Sequence, residues 1–146
     1  MNVYFACSIT GGREFEAVYQ AIVGALAEEG HEVLTAHLAE SGVGEVEAVV
    51  HPGEVYARDT AWIRACDVLV AEVSTPSHGV GYEIGFALGA GKPVLAVYRE
   101  GIKVSKMLTG NPDSNLTVTP YRTSGEAVRI VREFLERNAV GQAGRE

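Results

Sequence analysis

Apolar positions along this chain fall into two alternating rhythms. Short runs such as "NVYFAC", "CDVLVAEV" and "PVLAVY" are apolar almost throughout. Runs of that length, rich in β-branched residues and bounded by turn formers, predict buried strands. Between them, "FEAVYQAIVGALAEEG" sets Phe15, Val18, Ile22 and Leu26 on one stripe and stops at Gly30, which predicts an amphipathic helix. "HEVLTA" predicts the second strand. Residues 38–53 have weak periodicity and carry Gly42, Gly44, Pro52 and Gly53, which predicts mostly loop with room for one helical turn. A helix over about 54–65 precedes the third strand, and another helix follows it within "SHGVGYEIGFALGAGKPV". After the fourth strand, segment 101–114 is polar with a short helix around "KVSKML". "NLTVTP" predicts a late strand, and "SGEAVRIVREFLERN" a final amphipathic helix with Ser124 as its N-cap.

Strands alternating with helices, several of them apolar throughout, predict a mostly parallel sheet covered on both faces. The expectation is one three-layer α/β/α domain over residues 1–138, Rossmann-like/flavodoxin-like, with a mostly parallel five-stranded sheet. Residues 139–146 are expected to form a flexible tail. Ligands of such sheets bind beyond the carboxyl ends of the strands, where the winding reverses. The residues just after strands one, two and three therefore matter most.

Composition narrows the partners. Of 146 residues, 47% are hydrophobic and 21% charged, ordinary for a globular domain. Nineteen acids against twelve Lys and Arg give a net charge of -7, which leaves no basic face for a nucleic-acid backbone. No apolar run reaches the roughly eighteen residues of a membrane span. No basic n-region precedes the first strand, so no signal peptide is expected. Cys7 and Cys66 lie in apolar runs and are expected as free buried thiols, which points to the cytoplasm. The histidines at 31, 37, 51 and 78 lack metal-ligand spacing, so no metal is expected.

After strand one comes Ser8-Ile9-Thr10-Gly11-Gly12-Arg13. Small residues here leave amides free for an anion, and an ordinary turn fits the same residues. The run is neither a GxGxxG fingerprint nor a nucleotide-triphosphate loop. Tyr4 and Phe5 alternate on the strand before it. His37 follows strand two, where a binding role and a structural role both fit. Asp59 lies on the helix before strand three. Ser77, Gly79 and Gly81 crowd the helix start after that strand, and Ser77 is a candidate cap. Glu83 is placed in the first turn or so, where the helix N-terminus favours its ionised form. It fits either a helix-dipole acid or a nucleophile at the ligand-binding edge. Breaking a glycosidic bond commonly uses two carboxylates, and Asp59 and Glu83 are the pair that can approach one edge.

The stretches "VYFACSITGGRE", "RDTAWIRACDVLVAEVSTPSHGVGYEIGFALGAGKPVL" and "KVSKMLTG" resemble the 2'-deoxynucleoside 5'-phosphate N-hydrolase family, a branch of the nucleoside 2-deoxyribosyltransferase superfamily. The likeness runs to about residue 137, and its most distinctive part is "GVGYE" after "AEV-x-x-PS". It implies hydrolysis of 2'-deoxynucleoside 5'-monophosphates to free base and deoxyribose 5-phosphate, with no cofactor. By the same resemblance Glu83 attacks C1' and forms a glycosyl-enzyme ester, and Asp59 is the second acid. Tyr4 steadies Glu83 or contacts the sugar. Ser8, Ser77 and Gly79 surround the 5'-phosphate, with the Ile9–Arg13 loop beside them. His37 lies near the base or the site wall. Ser105 is lent by the neighbouring subunit of a homodimer. Thr10 stands where the family has an arginine, which removes a charged phosphate contact. Two rivals remain: a transferase that exchanges bases through the same intermediate, and a non-catalytic nucleotide-binding module. The presence of both acids favours an enzyme.

Overall fold

The computed structural model describes residues 1–10 and 12–144. Gly11 of the expected binding loop lies outside the described residues, as do 145 and 146 of the expected tail. In chain order the elements are β1 Asn2–Ala6, α1 Glu16–Glu28, β2 Glu32–Val33, a 3-10 turn Ala36–Ala39, α2 Val43–Ala48 and α3 Pro52–Ala65. Then come β3 Val68–Glu72, α4 His78–Gly89, β4 Val94–Arg99, α5 Lys106–Thr109, β5 Leu116–Tyr121 and α6 Ser124–Ala143.

The strands form a five-stranded sheet in the order β2-β1-β3-β4-β5. Every pairing is parallel, with Tyr4 beside Leu69 and Leu69 beside Val94. The fold is thus the expected three-layer α/β/α arrangement, Rossmann-like. The chain winds outward from β1 to β2, then crosses back to β3 on the other side. That reversal puts the ligand-binding crevice between β1 and β3.

Strand periodicity of two sorts the core into two halves. Val3, Phe5 and Cys7 pack with Tyr19, Ile22 and Leu26 of α1 and with Val131 and Phe134 of α6. Tyr4 and Ala6 point the other way, toward Ile63 of α3 and Val80, Ile84 and Ala87 of α4. Each fully buried large apolar side chain contributes about 1.5–3 kcal/mol. Both cysteines are buried and free. Among the described residues no helix is long and apolar enough to cross a membrane.

β2 is shorter than "HEVLTA" suggests, because a side chain takes over the ladder. Thr35 Oγ1 accepts from Phe5 N at 2.8 Å and donates to Phe5 O at 2.6 Å. It satisfies both backbone groups of a fully buried residue. Thr35→Val keeps the shape and strands them, so it is expected to cost about 1–3 kcal/mol. Urea denaturation should show a lower midpoint with an unchanged m-value.

Segment 38–53 is more regular than its periodicity suggests. Arg13 accounts for part of this. Its guanidinium donates to Leu38 O at 2.7 Å, Glu40 O at 3.0 Å and Ser8 O at 3.1 Å. Carbonyls that a loop would leave to solvent are thereby tied to the end of β1. Gly42, with φ 79, then turns the chain into α2. α3 starts at Pro52, earlier than expected, with His51 Nδ1 accepting from Gly53 N at 3.0 Å. α6 is capped one residue before Ser124, since Thr123 Oγ1 accepts from Glu126 N at 3.1 Å. The same helix continues through Ala143, beyond the boundary expected at 138.

Candidate active site

The turn between β3 and α4 is fixed from within. Glu72 ends β3 fully buried, and its Oε1 accepts from Ser74 N at 2.7 Å. Ser74 Oγ in turn accepts from Arg99 N at 2.8 Å, which ties the turn to the end of β4. Burial pushes the Glu72 carboxyl above the usual carboxylate range. Ser77 then caps α4, its Oγ accepting from Val80 N at 3.3 Å.

A cavity of about 760 Å³ opens beside this helix start. Its walls come from the segment after β1, from α2, from α3 and from the first turns of α4. Asp59 and Glu83 both line it, as do Ile9, Thr10, Ser77 and Gly79. These six are among the residues singled out in the sequence, by position or by resemblance. Glu47, Tyr56, Tyr82 and Cys7 line it too. Tyr82 sits inside the distinctive "GVGYE", whereas nothing in the sequence pointed to Glu47.

Glu83 is the sixth residue of α4, so it lies beyond the first turn. The helix dipole acts mainly within that turn, and the expected ionised carboxylate gives way to burial. Burial pushes its pKa up to about 7; the Tyr4 hydroxyl opposes the rise, the Asp59 charge adds to it and the Arg58 charge opposes it.

Tyr4 lies fully buried beneath the acid. Burial, and then the Glu83 charge, push its phenol far above the usual range, so it stays protonated. The hydroxyl lies against the Glu83 carboxyl, short of well-formed hydrogen-bond geometry. Tyr4 Oη and Glu83 Oε2 are consequently both buried without a good partner. Gly79 lies one turn before Glu83. A Cβ there would sit 3.6 Å from Glu83 Oε1 and 3.9 Å from Ser77 Oγ. Glycine leaves that face of the carboxyl open to a ligand.

Asp59 is held from outside the cavity. Arg58 Nε donates to Asp59 Oδ1 at 2.8 Å, and Arg58 Nη2 to Glu47 Oε1 at 3.1 Å. His37 Nε2 meets the same Glu47 oxygen at 2.9 Å.

Other expected contacts fall elsewhere. His37 does not line the cavity; it packs edge-on against Trp62 and holds Glu47. Arg13 does not line it either, because its donors are committed to backbone carbonyls and to Glu16. Ser8 is fully buried with its Oγ unpartnered, and Gly12 lies outside the lining with φ 122. Ser105 caps the short α5, accepting from Met107 N at 3.2 Å. It lines a second, largely apolar groove of about 880 Å³ beside α4, which shares Ser77 and His78 with the cavity. Among the described residues no cluster of three His, Cys, Asp or Glu side chains could hold a metal.

Two acids from neighbouring helices, meeting over a cavity at the switch point of a parallel sheet, define a small-molecule enzyme of the α/β class. Residues 3–119 match the family model of nucleoside 2-deoxyribosyltransferase, and the chain belongs to that family. The 5-hydroxymethyl-dUMP N-hydrolase of Mus musculus is 45% identical over 139 residues, covering 91% of this chain and 79% of the relative. A putative 2'-deoxynucleoside 5'-phosphate N-hydrolase 1 of Methanosarcina mazei is 38% identical over 134 residues, covering 92% and 83%. Among solved structures, the Clostridium botulinum CMP N-glycosidase superposes with a TM-score of 0.70 at 21% identity, over 92% of this chain and 99% of that one. That likeness is one of fold. With these relatives the chain is a glycosidase-type enzyme.

Proposed function

We propose that this protein hydrolyses the N-glycosidic bond of 2'-deoxynucleoside 5'-monophosphates, releasing free base and deoxyribose 5-phosphate. The observation that carries the reading is that Glu83 and Asp59 line one cavity, with the buried Tyr4 beside Glu83. The 45% identity to a deoxynucleotide N-hydrolase supports the substrate class.

In this reading ionised Glu83 attacks C1' as the bond from C1' to the base nitrogen breaks. The bonding electrons leave with the base, whose proton comes by way of Asp59 from the water of the second step. A glycosyl ester on Glu83 results. Water then attacks C1', gives its proton to the second acid, and displaces the Glu83 carboxylate. Tyr4, a donor beside Glu83, stabilises that carboxylate as it departs. The phosphate lies at the start of α4, where Ser77 and the free first-turn amides suit an anion. No Lys or Arg is among the described residues lining the cavity, so Thr10 is not replaced from within it.

In this reading the protein is a homodimer in which the loop holding Ser105 reaches the phosphate of the neighbouring subunit's site. That loop also carries Lys103 and Lys106, and Met107 is largely exposed on it. Ser105→Ala is expected to raise KM for a nucleotide about tenfold and to leave KM for the nucleoside unchanged. A monomer in sedimentation analysis with undiminished activity would refute the shared site.

The deciding experiment incubates the protein with dGMP, dCMP, dTMP, GMP and deoxyguanosine, with and without a free acceptor base. Base plus deoxyribose 5-phosphate supports the hydrolase. An exchanged nucleoside supports a transferase, and binding without turnover supports a regulatory module.

A further inference from the structure

The polar chain behind Asp59 takes part in neither the apolar core nor the steps just described. It runs through three elements: His37 on the 3-10 turn, Glu47 on α2, and Arg58 with Asp59 on α3. Adjacent residues on a helix point about 100° apart. Arg58 nevertheless bends back to its own neighbour, and its other contacts explain why. Its guanidinium lies over the Trp62 ring, 5.0 Å from the centroid, and Glu47 takes Nη2. Nε is thereby left aimed at Asp59 Oδ1. Glu47 is itself fixed by His37, whose ring rests on the same Trp62. The side chains of Glu47 and Asp59 are only 10% and 16% exposed, so these charge-assisted bonds are shielded from solvent.

We propose that Arg58 is a positioning residue of this site: clamped by Glu47 and Trp62, it fixes one oxygen of Asp59 and leaves the other to the cavity. The inference rests on the proposed N-hydrolase reading and deepens it. Without Arg58, Asp59 turns freely about its side-chain bonds and Glu47 keeps His37 alone as its partner. The Asp59 charge then bears on Glu83 with no arginine beside it to offset it. The groups facing Glu83 are Tyr4 from β1 and Asp59 and Arg58 from α3, with Cys7 at the end of β1. Glu47 of α2 and His78 of α4 line the same cavity. Of these, Arg58 supplies the positive charge that draws the Glu83 pKa down, against burial and against Asp59. Its removal moves that pKa above about 7.

The test compares the parent with Arg58→Gln and Arg58→Lys in the full chain. Steady-state kinetics on a deoxynucleoside monophosphate are followed from about pH 5 to about pH 9. Arg58→Gln is expected to lower kcat about 10- to 100-fold with KM within about threefold, and to move the acidic limb upward. Arg58→Lys keeps the charge but loses the fork. It should return the limb toward the parent position while kcat stays low. A carbon-13 NMR titration of the Glu83 carboxyl reads the same shift without any substrate. An upward shift in Arg58→Gln there upholds the inference even if the parent proves to act on another glycoside. Parental kcat and an unmoved limb in Arg58→Gln would overturn it. So would equal losses of kcat and thermal stability in both variants with an unmoved Glu83 titration, which is the mark of a purely structural arginine.

Discussion

Glu83→Gln is expected to lower base release from a deoxynucleoside monophosphate by at least on the order of 10³-fold. The same change should make the folded protein more stable near neutral pH. Both effects come from one burial. The carboxyl ordinarily titrates near 4.5, and in the folded protein near 7. The folded state therefore holds the proton more tightly than the unfolded chain. Below pH 4.5 the acid is neutral in both states and its burial carries no charge penalty. As pH rises from 4.5 to 7 the unfolded chain gains by ionising and the folded state resists, so stability is lost. Above 7 the penalty levels off, on the order of 1–3 kcal/mol. Glutamine has the shape of the acid and none of the titration. Urea unfolding at pH 5 and at pH 8 should show the variant ahead of the parent, by more at pH 8. Parental turnover in the variant would remove Glu83 as nucleophile, and an equal difference at both pH values would remove the buried charge.

The second large effect is on the pH–rate profile of the parent. A nucleophile must be ionised, so kcat/KM should fall about tenfold per unit below roughly pH 7. That gives a loss of about 100-fold at pH 5. Asp59→Asn supplies the control, because the Asp59 charge is one of the forces raising the Glu83 pKa. Its removal should carry the limb below 7 even as the plateau falls, since the second acid is gone. A limb that stays in place in Asp59→Asn would mean that the two acids do not sense each other.

Some of this was legible in the sequence, and the reasons differ from element to element. β1, β3 and β4 stand out because strands covered on both faces must be apolar throughout, and Val68–Ala71 and Val94–Val97 are fully buried. β2 is legible in "HEVLTA", but its early end is not, because a threonine hydroxyl rather than backbone completes the pairing with Phe5. α2 is hidden because Arg13 bonds to Leu38 and Glu40 across 25 and 27 residues of chain. No local rhythm records such a contact. The same bonds explain why Arg13 faces carbonyls and not the cavity.

In the site, Glu83, Ser77 and Gly79 follow from the strand end and helix start around them, and Asp59 stands out only as the second acid able to approach that edge. The charge state of Glu83 does not follow in this way. It depends on how far into α4 the residue falls, and a shift of a few positions separates dipole control from burial control. Arg58 sits beside Asp59 in plain view, yet adjacency on a helix predicts divergence. Trp62, one turn along the same helix, and Glu47, brought in from α2 by the fold, turn it back.

The footing of the cavity is unequal. Glu72 and Ser74 lock the turn that leads to Glu83 into the sheet, each side chain accepting from a backbone amide. Across from it α2 buries Val43 alone and presents Gly44, Glu47 and Ala48 to the cavity. Natural variation can therefore remodel the α2 wall of the cavity while the α4 side, which carries Glu83, stays in register. Descendants of this fold have a route to new substrates that leaves the reaction they perform intact.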